Sequence, residues 1–232
     1  MKGSRFMSYR GFVGSDDNYD LVGAMQFNLL TALGLREYHK FLDIGCGSLR
    51  AGRLFIPYLN RGCYCGIEPE KWLVEAGIKN EIGESMVDIK APRFEYSYEF
   101  PAASFGEKFD YMVAHSIFSH ASQEQILHCL KNVKPYFAPS TDSTRGGLLA
   151  ATFILADNDY QGKEWVYPGK DDIGFARYTE GFIYKIARES ELAYKKIDYP
   201  HQNVQTWFIF GAINDIEQLD DPTYNLKKMF GK

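Results

Sequence analysis

Phe41-Leu42-Asp43-Ile44-Gly45-Cys46-Gly47-Ser48-Leu49-Arg50, FLDIGCGSLR, is the stretch on which the reading of this chain turns. Phe41 to Ile44 has the composition of a short buried strand, and Gly45-Cys46-Gly47 ends it with two residues that lack side chains. A helix is predicted from about Leu49, ending near Pro57. A strand that runs into Asp-x-Gly-x-Gly lets a ligand approach the backbone. The helix start beyond it offers unpaired amides and a positive dipole end to an anionic group. A tight strand–helix turn with no ligand would use the same residues, so the glycine pair alone does not decide.

The next strand decides more. Cys63–Glu68 reads as a second strand ending in a carboxylate, and an acid at that place accepts both hydroxyls of a ribose. Glycine turn and acid together, at this separation, point to a nucleoside ligand. A nicotinamide dinucleotide calls for a third glycine, where this chain has the bulky Arg50. Asp43, two positions before the first glycine, suits a ligand with a positive amino group. S-adenosylmethionine has that amino group, a carboxylate and a ribose, and no phosphate.

The remaining elements follow from periodicity and punctuation. Residues 1–19 lack periodicity and read as a loose arm or lid. Asp20 is placed as the cap of a helix to Leu33, with Leu21, Met25, Leu29 and Leu33 on one stripe and Gly34 as its stop. Glu70–Ala76 is a further helix, and Arg93–Tyr98 and Phe109–His115 are third and fourth strands. Ser122 and Gln125 form a capping box for a helix through Val133, with Ile126, Leu130 and Val133 inward. Pro135 stops it. Gly147–Leu155 is a fifth strand, Asp157–Tyr178 an irregular segment, and Thr179 caps another helix. Strands Ala193–Tyr199 and Thr206–Ile213 close the chain. Alternation of strands and helices implies a parallel sheet with helices on both faces. The last two strands have no helix between them and must pair antiparallel at one edge.

The whole, residues 1–232, is read as one α/β domain. Residues 1–36 are an arm and helix, 37–156 a cofactor-binding core, 157–192 a substrate loop and helix, and 193–232 a hairpin and tail. At 232 residues, 45% hydrophobic and 24% charged, the chain is ordinarily globular. It has no apolar run fit to span a bilayer and no secretory signal at its start. A net charge of −4 with no basic cluster argues against nucleic acid as partner. Cys46, Cys63, Cys65 and Cys129 match neither a zinc site nor a disulfide framework, and Cys63 and Cys65 are expected to face the same way on their strand. A reduced, cytoplasmic setting is the expectation, with room for a homodimer.

FLDIGCGSLR resembles motif I of class I, Rossmann-like, S-adenosylmethionine-dependent methyltransferases, and Gly66-Ile67-Glu68-Pro69 resembles their second motif. Phe109 to Leu155, with FDYMVAHSIFSH, KPYF and GGLLAATF, is similar to their fourth strand, fourth helix and fifth strand. The resemblance covers about residues 38–156. Ser116-Ile117-Phe118-Ser119-His120 is similar to a segment of a bacterial branch associated with sugars and secondary metabolites. The resemblance implies a Rossmann-like, seven-stranded, mostly parallel sheet with helices on both faces and a C-terminal antiparallel hairpin. It implies that Asp43, Gly45 and Gly47, with Cys46 between them, surround the methionine part, that Glu68 holds the ribose, and that the activity is transfer of a methyl group to a small molecule or sugar. The usual acid after the third strand is absent, and Phe100 is assigned to the adenine side.

Methyl transfer is an in-line displacement, in which alignment supplies most of the rate. A base is needed mainly for a hydroxyl acceptor. His115, His120 and His201 fall where loops meet the carboxyl ends of the strands, and all three are candidates for base or acceptor-orienting group. His115, at the end of the fourth strand, also counts among the cofactor-side residues. A lone histidine equally satisfies backbone groups or packs, and the residues alone leave both roles open. Asp157-Asn158 resembles the magnesium pair of catechol-type O-methyltransferases. His115 stands where those enzymes place an aspartate at the end of the fourth strand, so no metal is expected, and Asp157 is read as an acceptor contact, a group that supports one from behind, or a plain loop cap. Tyr160, Trp165 and Tyr167 in the irregular segment suit a sugar or ring acceptor. The N-terminal arm, with Tyr19 and Gln26, is placed to close over the cofactor. O-methylation is favoured, with small-molecule N-methylation, a catalytically silent cofactor-binding protein and a nicotinamide oxidoreductase as alternatives.

Overall fold

The computed structural model describes residues 8–141, 144–159, 175–201 and 204–219. Seven strands form one sheet: β1 (Phe41–Ile44), β2 (Tyr64–Ile67), β3 (Arg93–Glu95), β4 (Tyr111–Ala114), β5 (Leu148–Ile154), β6 (Ala193–Ile197) and β7 (Gln205–Gly211). Their order is β3-β2-β1-β4-β5-β7-β6. The first five are parallel, and β7 runs antiparallel between β5 and the edge strand β6. The expected Rossmann-like sheet with its terminal antiparallel pair is present.

The helices are α1 (Tyr9–Phe12), α2 (Tyr19–Ala32), α3 (Gly52–Tyr58), α4 (Lys71–Gly77), α5 (Glu84–Lys90), α6 (Gln123–Val133), α7 (Glu180–Glu189) and α8 (Ile213–Glu217). They cover both faces of the sheet, so β1, β2, β4 and β5 are buried throughout. Leu42, Met112, Leu149 and Phe208 point into a core closed by α6 and α7. Phe41, Val113, Ala150 and Trp207 point into the opposite core, against α2 and α3. Ser122 forms its capping box with Gln125, and Thr179 caps α7 by accepting from the Phe182 amide.

Several local expectations are corrected. Leu21 is exposed, and the buried stripe of α2 runs through Val22, Met25, Leu29 and Leu33. The third helix begins at Gly52 rather than Leu49, because Leu49 adopts a positive φ of 62° and carries the chain through another turn. Cys63 precedes β2 and falls in the α2-side core, whereas Cys65 lies in the α6-side core, so the two do not share a face. A π-helical turn at Ile78–Ile82 and helix α5 fill a stretch for which no element is predicted. Residues Ile213–Glu217 form a short helix at the end of the last strand.

This topology sets the site. β1 lies between β2 and β4, reached by crossovers that leave in opposite directions, which opens a crevice at the carboxyl ends of these strands. The register pairs Ile44 with Ile67 and Asp43 with Val113, so the turn after β1, Glu68 and His115 emerge on the same edge of the sheet. Helix α2 packs directly on the segment beyond the glycine turn: a Cβ on Gly23 would lie 2.4 Å from the Arg50 carbonyl oxygen. In an exposed helix, Gly→Ala stabilises by roughly 1 kcal/mol. Gly23→Ala is expected to do the reverse, costing about 1–3 kcal/mol through overpacking. Thermal melting checks it, and a raised Tm would contradict this packing.

Candidate active site

The crevice is organised around a buried carboxylate. Glu68 Oε2 accepts from the Gly47 amide at 2.9 Å and Oε1 accepts from the Glu70 amide at 2.9 Å. One side chain thereby ties the turn after β1 to the turn after β2. Burial pushes Glu68 up to about 7, against the two backbone donors that favour its charged form. Each oxygen keeps a second lone pair for a ligand hydroxyl.

Gly45 and Gly47 both have positive φ, 71° and 53°. A Cβ on Gly45 would fall 2.0 Å from Ile117 Cδ1, and one on Gly47 would fall 2.7 Å from Val13 Cγ1. Backbone conformation and close approach both require glycine here. The amides of Gly45 and Cys46 donate to the Ile67 carbonyl, that of Gly47 to Glu68, and that of Leu49 to Cys46. The expected row of unpaired amides at a helix start is therefore largely paired within the protein, and the helix proper begins five residues beyond Gly47. Carboxylates, not amides, are the polar groups the turn presents.

Asp43, at the buried end of β1, accepts from the Tyr64 hydroxyl at 2.8 Å. Burial moves it from an ordinary 3.8 to about 6, opposed by that hydrogen bond and by the charge of Arg50. Cys46 is buried between Asp43 and Glu68, and burial raises its thiol well above the usual range.

On the β4 side the structure brings together two of the three candidate histidines. His115 and His201 face each other through their Nε2 atoms at 2.8 Å, with ring centroids 5.0 Å apart and stacked. The Trp207 ring lies 5.4 Å from His115 and 6.0 Å from His201. Arg50 Nη2 meets His115 Nδ1 at 3.0 Å. A guanidinium only donates, so His115 Nδ1 accepts, its Nε2 carries the proton, and that proton is donated to His201 Nε2. Burial, then the Arg50 charge, holds His115 well below the usual histidine range. With the ring neutral, both His115 nitrogens are committed, Nδ1 as acceptor and Nε2 as donor, and the accepting nitrogen of the pair is His201 Nε2.

His120 stands apart. Its ring packs 5.1 Å from Phe175, its Nδ1 has no partner among the described residues, and burial lowers its pKa. Phe100 is buried in the α6-side core, with its ring 6.4 Å from His128. Asp157 is exposed just past β5. Tyr160, Trp165 and Tyr167 lie outside the described residues. Gln26 donates to the Val22 carbonyl within α2, and Tyr19 donates to the Ser48 carbonyl at 2.8 Å, so Tyr19 buttresses the glycine turn from beneath.

Several site residues carry no sequence signal. Ser116 adopts a φ of 59°, donates its amide to Thr152 Oγ1 and receives Gln205 Nε2 on its hydroxyl, so β4, β5 and β7 meet at one polar corner. Tyr64 reads as a strand aromatic, and its role toward Asp43 follows only from parallel pairing. Arg50 reads as an obstacle to dinucleotide binding, and its contacts with His115 and the arm emerge only in three dimensions. Asp159 accepts from the Thr179 amide at 2.6 Å and from Gln123 at 3.2 Å, which secures the exit of β5. Among the described residues no group of three His, Cys, Asp or Glu side chains is arranged to hold a metal ion, and no helix is long and apolar enough to cross a membrane.

No family model matches the chain, and no curated protein sequence matches it either. Solved structures do. Magnesium protoporphyrin IX methyltransferase from Synechocystis PCC 6803 with bound S-adenosylhomocysteine aligns at TM-score 0.57 and 15% identity, over 88% of this chain and 92% of that one. A SAM-dependent methyltransferase from Leishmania major aligns at TM-score 0.61 and 12% identity, over 89% and 78%. The N-methyltransferase NodS from Bradyrhizobium japonicum WM9 aligns at 0.54 and 15%, over 84% and 98%. The fold is the one these methyltransferases share. At such identities the likeness concerns the chain path.

The Asp43–Tyr64 contact has a consequence for stability. Asp43 titrates higher folded than unfolded, so its burial counts against the fold as pH rises from about 4 through about 6. Tyr64→Phe removes the donor that offsets this, and is expected to cost about 1–3 kcal/mol at pH 8 and less at pH 5. Urea denaturation at the two pH values checks it. An equal loss at both would contradict a charged Asp43 held by Tyr64.

Proposed function

We propose that this chain is an S-adenosylmethionine-dependent methyltransferase acting on a small molecule or sugar, with O-methylation as its reaction. The observation that carries the reading is the Glu68 clasp: a buried carboxylate, fixed by two backbone donors, at the mouth of a crevice floored by two glycines. The residues present fit the cofactor. Glu68 keeps lone pairs for two ribose hydroxyls, and Asp43, two positions before Gly45, is the carboxylate for an ammonium. Gly45 and Gly47 bring bare backbone to the turn, covered by the Ile117 and Val13 side chains, which a ligand seated there would displace. The likeness to methyltransferase structures supports the same reading at the level of fold.

The cofactor supplies a methyl group on a sulfonium, already activated for displacement. The chain has to bind it, exclude water and align an acceptor. Bound S-adenosylmethionine would give its methyl group to an acceptor hydroxyl, with the sulfur keeping the electron pair of the broken bond, and the chain would have to supply a base for the hydroxyl proton. His201 Nε2 has the lone pair for it, once a substrate hydroxyl replaces His115 as its donor. His115 then holds the orientation, and Trp207 forms the apolar wall behind both rings. The acidic chain, with a net charge of −4, favours a small acceptor over nucleic acid.

Glu68 must be ionised to accept two hydroxyls, and it titrates near 7 in the free protein. Binding therefore expels a proton below that value. Affinity for S-adenosylhomocysteine is expected to rise by up to tenfold per pH unit from about 5 to about 7, and to level off above. Calorimetry in buffers of different ionisation enthalpy should show proton release at pH 6 that disappears at pH 8, and Glu68→Ala should weaken binding at least tenfold. Absence of binding by wild-type protein at every pH would overturn the reading.

A further inference from the structure

Arg50 is bound on both sides of its guanidinium by groups from distant parts of the chain. Nη1 donates to the Val13 carbonyl at 2.6 Å, and Nη2 donates to His115 Nδ1 at 3.0 Å. Both acceptors are neutral, and among the described residues no carboxylate lies within ion-pair distance of Arg50. Burial lowers Arg50 to about 10, which leaves it charged at neutral pH. A cation largely removed from water, with Asp43 acting on it only from beyond ion-pair distance, is an expensive way to fill space. What it does here is hold two elements at once.

Those two elements lie on opposite sides of the crevice. Val13 belongs to the N-terminal arm, and its Cγ1 sits over Gly47, 2.7 Å from where a Cβ would stand. The arm is pinned beyond the crevice as well. Tyr9 and Arg10 both donate to Glu81, and the Phe12 ring meets Trp72 edge-on at 5.3 Å. His115 belongs to the dyad with His201. The guanidinium is a rigid planar fork, so moving one acceptor shifts the geometry available to the other.

We infer that Arg50 couples the cofactor side of the crevice to its acceptor side, as a positioning residue that ties the arm over Gly47 to the tautomer and orientation of the His115–His201 dyad. This rests on the reading of the glycine turn as a nucleoside cradle. Seating a ligand against Gly47 displaces Val13 or presses on it, and through Arg50 that displacement is delivered to His115 Nδ1. The empty and loaded enzymes then differ at the dyad. Coupling of this kind needs a continuous set of contacts, and Val13–Arg50–His115–His201 is one.

The charged and titratable groups that bear on the relay are few. Arg50 and His201 act on His115, and Tyr19 and Asp43 act on Arg50. Histidine nitrogens can be read directly in protein labelled with ¹⁵N-histidine, using long-range ¹H–¹⁵N correlation, with His115→Gln and His201→Gln for assignment. His115 is expected to be the neutral Nε2–H form from pH 5.5 to 8, and S-adenosylhomocysteine is expected to shift both His115 and His201. Arg50→Lys keeps the charge but has no second arm, and should abolish that ligand-induced shift. Val13→Gly leaves Arg50 intact and should keep the tautomer while shrinking the shift.

An Nδ1–H tautomer in wild-type protein overturns the inference, as does an undiminished shift in Arg50→Lys. Should Arg50→Lys not fold, the wild-type tautomer together with the Val13→Gly titration decides. Calorimetric binding without any histidine shift overturns the coupling and leaves the cofactor reading standing. No binding at all overturns both.

Discussion

One carboxylate holds the crevice open in the right shape. Glu68 closes the gap between two turns that follow adjacent parallel strands, accepting an amide from each. Gly45 and Cys46 already tie the first turn to the Ile67 carbonyl, and the clasp extends that link to Gly47 and Glu70. The arrangement comes at a cost, visible in how far burial moves the group toward neutrality. A protein that only needed a tight turn would have no use for a buried acid that must be desolvated and then held by two donors. A ligand bringing two hydroxyls to the remaining lone pairs relieves that tension, so the strained group and the proposed ligand complement each other.

The same economy of contacts extends across β1 to β4. Asp43 is held by Tyr64 from the neighbouring strand, and Arg50 reaches from beyond the turn to His115. The two sides of the crevice therefore differ. The side toward β2 holds the carboxylates of Asp43 and Glu68, and the side toward β4 holds the His115–His201 pair against an indole ring. His115 stays neutral because burial and the neighbouring Arg50 charge both disfavour its protonation.

The sheet was legible because its strands are buried on both faces, which makes apolar runs such as Phe41–Ile44 and Leu148–Ile154 stand out between turn residues. Ser122 with Gln125 and Thr179 marked helix starts for the same local reason. Local signals failed where conformation is imposed from outside. Leu49 and Ser116 take positive φ with no glycine to announce it, and Leu49 delays the helix that the turn was expected to begin. Leu21 and Val22 are both apolar, and only packing against the sheet tells which faces inward. In the site, Asp43, Gly45, Gly47 and Glu68 could be picked out because their spacing follows one strand end after another. The pairing of His115 with His201, 86 positions apart, depends on β7 entering the sheet beside β5. Phe100 was chosen by position alone and is buried in the α6-side core. The Arg50 contacts are long-range on both arms, and no periodicity encodes them.

The most direct measurement is the crystal structure of the protein with S-adenosylhomocysteine bound. The expected result places both ribose hydroxyls within about 3 Å of the Glu68 oxygens and the amino acid portion along Asp43 to Gly47. A nucleoside seated elsewhere, or a ribose that makes no contact with Glu68, would contradict it.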